Sequence, residues 1–292
     1  MREPTSRSGL ALSFLDRIRE CNARELGNFR PFVVAGERFG WVKQPFLDEL
    51  RQFPKLFEIA ADRVTLAPAL ATPEARTAAL DEALRTLSAQ GVIAGWRNEV
   101  YPVTRSWGSA PVMLMERAAT PYFGVRAYGV HMNGFVREGG RISMWVGRRA
   151  LDKPTYPGML DNMVAGGQPA ALSLKENLVK ESGEEADIPE ALAARARPTG
   201  AVTYTMETPE GLKPDVQFVY ELELPQDFTP RNRDGEIQEF MLWPIERVIE
   251  VVRETTEFKF NCNLVIIHFL VQHGLIAPEH PDYLEIVKGL HQ

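Results

Sequence analysis

Three glutamates, Glu181, Glu184 and Glu185, stand at spacings that place them on one face of a helix. At about 100° per residue their side chains fall within an arc of about 100°, at i, i+3 and i+4 separations. Like charges at these separations repel by a few tenths of a kcal/mol per pair, so the pattern favours a bound cation. Clustered oxygen ligands suit magnesium, which usually binds through a few carboxylates together with substrate phosphates. The spacing therefore predicts a divalent-cation site for phosphate chemistry, with a solvated acidic face as the alternative.

The segment in front of the glutamates carries the signals that begin a helix. Ser173 is followed three residues later by Glu176, the spacing of a capping box, in which two side chains satisfy free N–H groups of the first turn. Gly166-Gly167 provides a bend before this helix, and Asp187 is expected to end it. We therefore predict a helix over 173–187 with a burying face beside the glutamates. That face comprises Leu178, Val179, Ser182 and Ala186.

These residues resemble the Nudix box, a pattern of a glycine, five residues, a glutamate, seven residues, and then Arg-Glu-apolar-any-Glu-Glu-any-Gly-apolar. Aligned at its acidic end, the pattern falls on residues 180–188. The resemblance implies that Glu181, Glu184 and Glu185 bind a divalent cation, Mg²⁺ or alternatively Mn²⁺. It also implies a backbone carbonyl ligand from Ala165, Gly166 or Gly167, of which Gly166 is the candidate.

The box departs from the family pattern at several positions. Lys180 replaces the arginine, and a lysine lacks the planar fork that orients a carboxylate. Gly183, inside the helix, is expected to cost about 1 kcal/mol relative to alanine. The other departures are Ser182 at an apolar position, Asp187 at the terminal glycine and Leu172 at the first glutamate. The three ligands are retained, so these departures bear on the positioning of Glu184 and on the rate.

The resemblance extends over nearly the whole chain. Segments 153–162, 165–167, 258–263, 273–274 and 281–284 are similar to the Nudix subgroup associated with thiamine pyrophosphokinase. Segments 31–34 and 39–42 resemble the extra amino-terminal domain of that subgroup. The resemblance implies an α/β fold, a Nudix-like α/β/α sandwich with a mixed β-sheet at residues 119–292. A smaller α+β domain is expected at residues 1–118.

The order of predicted elements indicates the same fold class. Segments 127–136 and 142–149 alternate like paired strands, and strands interleaved with helices favour an α/β sandwich. Further strands are predicted at 200–206, 216–224 and 237–243, followed by helices to the end. In the first part we predict helices over 10–26, 45–57 and 74–90, a hairpin over 32–42, strands within 98–115 and a junction at 118–124.

Composition is that of an ordinary soluble enzyme. The 292 residues, 45% hydrophobic and 25% charged, favour two domains. A net charge of -6 argues against nucleic acid as an obligatory partner. Cys21 and Cys262 are expected to be buried thiols in a reducing compartment. Residues 1–20 lack an apolar signal segment, and the apolar run 264–271 is too short to span a bilayer. We therefore expect a cytoplasmic protein with no membrane partner and a buried helix at 264–271.

Other hydrolytic and nucleotide-binding patterns are missing from the sequence. The five histidines show no H-E-x-x-H spacing, and His268 in an apolar run is expected to be a core residue. The serine-hydrolase elbow, the P-loop and the dinucleotide-binding glycine pattern do not occur. Among the five tryptophans, Trp41 and Trp107 are the ones to test for stacking on a substrate ring if the amino-terminal domain recognises substrate.

The resemblance also suggests residues that complete the reaction. In Nudix proteins a glutamate outside the box often acts as the base or adds a ligand, and Glu236 and Glu239 are the candidates. A solvated turn followed by an alternating strand explains each of them at least as well. Arg148 and Lys153, which precede the box, are candidates for phosphate contacts.

The function implied is Mg²⁺-dependent hydrolysis of a small organic diphosphate. The subgroup resemblance implies thiamine diphosphate or its oxidised, damaged analogues, with the monophosphate and phosphate as products. Two alternatives stay open: a pyrophosphatase of nucleoside diphosphate derivatives, and a ligand-binding Nudix module with weak catalysis. The expected partner is the diphosphate substrate, and a homodimer is left open.

Overall fold

The computed structural model describes residues 13–153 and 155–292. Its first part combines a small sheet, helices and a separate hairpin. In chain order the elements are α1 (Phe14–Glu20), a 3-10 turn (Leu26–Asn28), β1 (Phe29–Val34), β2 (Glu37–Lys43), α2 (Gln44–Leu50), β3 (Phe57–Ile59), β4 (Val64–Leu66), α3 (Pro73–Ala89), β5 (Val100–Val103), β6 (Met113–Glu116), a 3-10 turn (Arg117–Ala119) and α4 (Thr120–Phe123).

The small sheet has the order β2-β1-β4-β3, with β1 parallel to β4 and the other neighbours antiparallel. Against it lies α3, which begins at the N-cap Thr72 and buries Leu80, Leu84 and Leu87 on one stripe. These leucines belong to one apolar cluster that extends along the chain as far as Val125. The predicted helix over 74–90 and the predicted hairpin over 32–42 are confirmed.

The second part carries the larger sheet and most of the helices around it. Its elements are β7 (Tyr128–Glu138), β8 (Arg141–Arg149), β9 (Leu160–Asp161), β10 (Val164–Gly167), α5 (Leu174–Ala186), α6 (Glu190–Ala193), β11 (Arg197–Thr203), β12 (Met206–Glu207), β13 (Leu212–Lys213), β14 (Val216–Glu223), β15 (Ile237–Pro244), α7 (Ile245–Glu254), α8 (Phe260–Gln272) and α9 (Tyr283–Gly289).

In the described residues the larger sheet has the order β11-β14-β7-β8-β15, while β10 pairs with β7 and β9 pairs with β8. β14 runs parallel to β7, and β8 runs antiparallel to it, so the sheet is mixed. One face packs against α5, where Val130 and Met132 meet Leu178. The other face packs against α7 and α8, where Phe135 lies in one cluster with Val265. The expected α/β/α sandwich with a mixed sheet is confirmed.

Helix α5 begins where the capping box predicts. Ser173 Oγ accepts a hydrogen bond from Glu176 N at 3.3 Å, and the Glu176 carboxylate accepts one from Ser173 N at 2.8 Å. The helix ends at Asp187, whose φ of 53° is left-handed. Its buried positions include Leu178, Ser182 and Ala186 of the predicted burying face. Local signals therefore place the glutamate-bearing helix correctly at both ends.

Helix α1 packs with the helices of the second part. Phe14, Leu15 and Ile18 share the large core cluster with α8 and α9, and Cys21 Sγ lies 3.3 Å from the Phe260 carbonyl. The division into domains at 1–118 and 119–292 stays a prediction. In that division, α1 comes from the first segment and contributes to the core of the second.

Three predicted elements of the first part differ in the structure. The helix predicted over 10–26 ends at Glu20, and residues 10–12 lie outside the described residues. The helix predicted over 45–57 ends at Leu50, because the chain turns before Pro54 and then enters β3. The junction predicted at 118–124 is helical, since the second 3-10 turn and α4 run through it.

The apolar run 264–271 forms the buried centre of α8, as predicted. His268 is buried there, with Nε2 3.2 Å from the Thr199 carbonyl. Both cysteines are buried and free. Among the described residues, no helix combines the length and the hydropathy needed to cross a membrane.

Replacing Gly183 by alanine should stabilise the protein by about 0.5–1 kcal/mol, since glycine is entropically costly within a helix. A Cβ built on Gly183 meets no atom within 4 Å, so the added methyl group finds open space. Urea unfolding of both proteins measures this difference. Gly40→Ala is the matched control, because its Cβ would lie 2.2 Å from the Phe123 carbonyl oxygen. We expect that variant to lose stability, and a destabilised Gly183→Ala protein would contradict the helix geometry.

Candidate active site

Strand β10 lies against the glutamate-bearing helix, and the diglycine forms its last two residues rather than the predicted bend. Gly166 lies so close to Glu181 that a Cβ on Gly166 would be 2.5 Å from the carboxyl carbon. A contact this short requires an atom to move, so glycine is the residue that fits. The diglycine therefore allows a carboxylate of α5 to lie directly against the strand.

Glu185 is the most deeply buried of the three glutamates, with 5% of its surface exposed. Its Oε2 accepts a hydrogen bond from Ala165 N at 2.8 Å, which joins α5 to β10. Burial, followed by the charge of Glu181, raises the pKa of Glu185 well above the usual 4.5. Ionising such a carboxylate is costly unless a positive charge compensates it.

Lys180 pairs with the other two glutamates. Its Nζ lies 3.2 Å from Glu181 Oε1 and 2.6 Å from Glu184 Oε2. The Glu181 side chain is 17% exposed and that of Glu184 is 49% exposed. Burial raises the pKa of Glu181 more than Lys180 lowers it. The lysine that replaces the arginine of the box therefore compensates only the outer side of the cluster.

The donor set on this helix face fits a hard divalent cation. The Glu181 charge raises the pKa of Glu185, and the Glu184 charge raises the pKa of Glu181. All three offer carboxylate oxygens, the ligands that Mg²⁺ and Mn²⁺ prefer. A bound cation would relieve this repulsion, so the residues suit the metal that their spacing predicts.

A different trio brings its ligand atoms closest together. In the described part of the chain, His131, Asp161 and Cys262 offer ligand atoms within 4.8 Å of one another, and the three glutamates do not form such a group. Asp161 pairs with Arg149 at 2.8 Å, lies 3.9 Å from Lys259 and accepts a hydrogen bond from the Cys262 thiol at 2.8 Å. Two cations beside the carboxylate oppose a metal ion there. We interpret this trio as a polar network within the core.

The same network positions His131 on the wall of a cavity. Asn162 donates through Nδ2 to Asn133 at 3.0 Å, so its Oδ1, 2.8 Å from His131 Nδ1, accepts the histidine proton. The other ring nitrogen, Nε2, is then the acceptor and lies 3.4 Å from Asn261 Nδ2. Burial lowers the pKa of His131 to about 4, so the ring is neutral at neutral pH.

The cavity, of about 710 Å³, lies beside β10 and is lined from both parts of the chain. β10 supplies Ala165, Gly166 and Gly167, and the first part supplies Tyr101 and Arg117. The second part adds Tyr128, Tyr156, Tyr204, Asp215, Lys259 and Phe260. This volume lies in the range of small-molecule sites, which is about 300–1,000 Å³.

The remaining predicted residues form two ion pairs near the end of β8. Lys153 Nζ lies 2.5 Å from Glu236, and Arg148 Nε lies 3.0 Å from Glu239. Burial raises the pKa of Glu236, but Lys153 outweighs it and the net pKa is lowered. Among the described residues that line the cavity, none of these four occurs. Their catalytic and phosphate-binding roles stay predictions.

Arg149 was missed by the sequence analysis and organises one side of the cavity. It is 8% exposed and donates to the carbonyls of Thr155 and Tyr156 at 2.9 and 3.1 Å as well as to Asp161. Tyr156 has a φ of 53°, unusual for a residue other than glycine. The available signal was its place at the end of a strand predicted over 142–149, although its burial is visible only in the structure.

Aromatic residues of the cavity differ from those singled out in the sequence. In the described structure the lining contains tyrosines and Phe260 but no tryptophan. Trp107 packs instead on Tyr128 and Phe218, with ring centroids 4.9 and 4.7 Å away, and Trp41 lies against Arg38. No periodicity in the sequence distinguishes the tyrosines that line the cavity from those that lie in the core.

Known proteins resemble this chain over most of its length. A family model described as a domain of unknown function, DUF4743, matches residues 13–127. The chain is 45% identical over 288 residues to Nudix hydrolase 20, chloroplastic, of Arabidopsis thaliana, covering 95% of this chain and 77% of that protein. It is also 45% identical to Nudix hydrolase 24, chloroplastic, of the same plant, over 95% and 77% of the two chains.

A yeast relative and several solved structures are also similar. The uncharacterized protein YJR142W of Saccharomyces cerevisiae is 33% identical, over 88% of this chain and 81% of that protein. The NUDIX domain of Shewanella oneidensis NrtR, solved with ADP ribose, aligns at 12% identity and a TM-score of 0.41, over 52% and 90% of the two chains. A C. elegans Ap4A hydrolase aligns at 13% identity and a TM-score of 0.38, over 51% and 98%.

Glu185→Gln should change how stability depends on pH and on Mg²⁺. A carboxyl group whose folded pKa is raised binds its proton more tightly in the folded state, so its contribution to stability falls as pH rises from about 4.5 through the raised pKa. Glutamine keeps an oxygen for the Ala165 N–H but has no charge. We expect metal-free Glu185→Gln to gain free energy of unfolding over wild type on going from pH 4.5 to neutral pH.

In the same experiment Mg²⁺ should raise the Tm of wild type more than that of Glu185→Gln. Calorimetry with and without Mg²⁺ measures both effects, and Glu250→Gln, an exposed glutamate of α7, is the matched control. Identical pH and Mg²⁺ responses in wild type and Glu185→Gln would contradict a buried carboxylate that needs a cation.

Proposed function

This chain belongs to the Nudix hydrolase family, and on that basis we propose that it hydrolyses thiamine diphosphate or its oxidised, damaged analogues to the monophosphate and phosphate. The coarser activity, that of a Nudix-type pyrophosphohydrolase, follows from family membership at 45% identity. The observation that supports the site most directly is the buried Glu185 carboxylate hydrogen-bonded to β10 at 2.8 Å, beside Glu181 and next to the cavity wall.

In this proposal Glu181, Glu184 and Glu185 hold Mg²⁺, or Mn²⁺ in its place, with the Gly166 carbonyl as a further ligand. When bound, the cation supplies charge neutralisation at the phosphoryl oxygens and lowers the pKa of a water ligand. Gly166 leaves room for this arrangement because Glu181 occupies the volume of its absent side chain. Burial of Glu185 excludes water from the inner side and strengthens electrostatic interactions there.

Glu236 is the better supported of the two candidate bases. Its charge contributes to the raised pKa of Glu185, so the two groups are close enough to interact. Pairing with Lys153 holds its pKa below the usual value, which keeps the carboxylate ionised and able to accept a proton. Glu239 lies three residues later, within β15, where Arg148 pairs with it at 3.0 Å. Lys153 and Arg148 are proposed phosphate contacts. To bind phosphate, each would have to leave its ion pair, with Glu236 and Glu239 respectively.

The organic part of the substrate is proposed to lie in the cavity of about 710 Å³. Its aromatic walls suit a flat ring, since Tyr204 and Tyr156 each pack on Phe260 with centroids 5.6 and 5.4 Å away. Asp215, hydrogen-bonded to the Tyr204 hydroxyl at 3.0 Å, offers an acceptor for a ring that carries donors or positive charge. These features support a diphosphate that carries a heterocyclic ring. Nucleoside diphosphate derivatives also carry such a ring, so they belong among the substrates to be compared.

A binding module with weak catalysis is the second candidate, and Lys180 is the observation that favours it. The lysine engages Glu184 at 2.6 Å and Glu181 at 3.2 Å, the carboxylates that a cation needs. Such competition would lower metal affinity without abolishing the binding of a ligand. A cytoplasmic location and a homodimer stay predictions, and the two plant relatives are named chloroplastic.

Glu181→Gln and Glu184→Gln should each lower the rate of Mg²⁺-dependent phosphate release by roughly 100-fold or more, because a neutral amide is a poor ligand for a hard cation. The assay compares thiamine diphosphate and its oxidised forms with nucleotide sugars and dinucleotides. Glu250→Gln controls for loss of surface charge, and thermal unfolding verifies that each variant folds. Unchanged rates in folded Glu181→Gln and Glu184→Gln proteins would contradict the metal site and favour the alternative, a solvated acidic helix face.

Glu236→Gln should lower kcat by about 10²–10⁴-fold if Glu236 is the base, with a small change in KM. Glu239→Gln, in the strand that directly follows Glu236, is the matched variant and should lower kcat far less. The pH dependence of kcat adds an independent readout, because removal of the base should abolish its acidic limb. Equal effects of the two substitutions would contradict the choice between them.

A further inference from the structure

Two side chains from the first part of the chain reach over the second glycine of the diglycine. A Cβ on Gly167 would lie 1.5 Å from the Tyr101 hydroxyl oxygen and 3.3 Å from Arg117 Cζ. Tyr101 lies in the hairpin of β5 and β6, and Arg117 directly follows it. The hairpin is joined to the loop after β10, since Ala170 N donates to the Val100 carbonyl at 3.2 Å. Gly166 thus accommodates a glutamate of α5, and Gly167 accommodates the tyrosine and arginine.

The Arg117 guanidinium is held in place by two neighbours. Its Nη1 donates to Glu99 Oε2 at 2.8 Å, and Cζ lies 5.6 Å from the centre of the Tyr101 ring. Burial lowers its pKa, but Tyr101, Glu99 and Glu181 outweigh this effect and raise the net pKa, so the charge is retained. The Glu181 contribution is reciprocal, because Arg117 also lowers the pKa of Glu181.

Part of the guanidinium is free to bind a ligand. A guanidinium has five N–H donors, and among the described residues the hydrogen bond that Arg117 makes is the one to Glu99. The side chain is 45% exposed and faces the cavity. A planar fork beside metal-binding carboxylates suits a phosphate, which accepts paired hydrogen bonds.

The position of β10 explains how one ligand could meet both groups. Consecutive residues of a strand project to opposite faces, so Glu181 and Tyr101 approach β10 from opposite sides. In the described residues β10 pairs with β7 along one edge, and its other edge is hydrogen-bonded to α5, from Ala165 N to Glu185 and from Asn177 Nδ2 to the Gly167 carbonyl. A diphosphate at the end of β10, beside Gly166 and Gly167, would face the glutamates on one side and Arg117 on the other.

We propose that Arg117, positioned by Tyr101 and Glu99, binds the diphosphate of the substrate, so that the first part of the chain completes the active site. This inference rests on the proposed function for its ligand class. It assigns to residues 101 and 117 a role that the Nudix box does not supply, because both lie in the separate family match over residues 13–127. Arg117 is a binding residue, whereas Tyr101 acts through it as a positioning residue.

Arg117→Gln should raise KM for the diphosphate substrate about 10-fold or more. It should weaken the binding of methylene diphosphonate, a diphosphate analogue without a P–O–P link, by a similar factor in the presence of Mg²⁺. Isothermal calorimetry gives the Kd. Arg105→Gln is the control, because Arg105 is 74% exposed and pairs with Glu37 at 3.2 Å. Tyr101→Phe retains the ring, so its KM should rise by less than that of Arg117→Gln.

A folded Arg117→Gln protein with the Kd and KM of wild type would overturn the inference, as would a wild-type protein that does not bind methylene diphosphonate with Mg²⁺. If Arg117→Gln lowers the Tm, Arg117→Lys is the variant that tests the inference, because lysine keeps the positive charge but lacks the planar fork. A Kd weakened 3-fold or more at unchanged Tm supports the inference, and an unchanged Kd overturns it. Wild type that binds this probe but hydrolyses no diphosphate would reject the proposed function alone.

Discussion

The arrangement depends on the cost of bringing carboxylates together against one strand. Glu185 is buried with a single backbone hydrogen bond from Ala165, and Glu181 packs on a glycine that has no Cβ. Repulsion between them is tolerated because Lys180 compensates the outer side and because a divalent cation can compensate the inner side. The carboxylates that make the site costly in the metal-free protein are also the ligands that a hard cation prefers.

The rest of the fold holds this cluster beside a cavity with polar and aromatic walls. Asp161, fixed by Arg149, orients Asn162 and through it His131, so the wall of the cavity is a hydrogen-bonded network rather than loose side chains. Arg149 also fixes the carbonyls of the loop that carries Tyr156. Buried polar networks of this kind are stable when each member has partners, and they then specify one geometry.

Local signals predicted the parts of the site that lie within a few residues of one another. The capping box at Ser173 and the helical spacing of the glutamates follow from neighbouring residues, and the structure contains both. The bend predicted at the diglycine was wrong, because Gly166 and Gly167 are the last two residues of β10. The pairing of Arg148 with Glu239 and of Lys153 with Glu236 joins residues far apart in the chain. Strand register decides those pairs, and no single stretch of sequence contains that information.

The sequence by itself determined the glutamate-bearing helix, because helix periodicity and capping are local. Its resemblance to the Nudix box implied the family and the sandwich. Only the tertiary structure decided which distant residues meet. It placed α1 in the core of the second part of the chain, and it placed Tyr101 and Arg117 against Gly167. It also paired Asp161 with Arg149, which opposes a metal ion at that carboxylate. The physical reason is that these contacts depend on how the packed elements approach one another. Burial of whole helix and sheet faces fixes that approach, and the spacing of residues along the chain does not contain it.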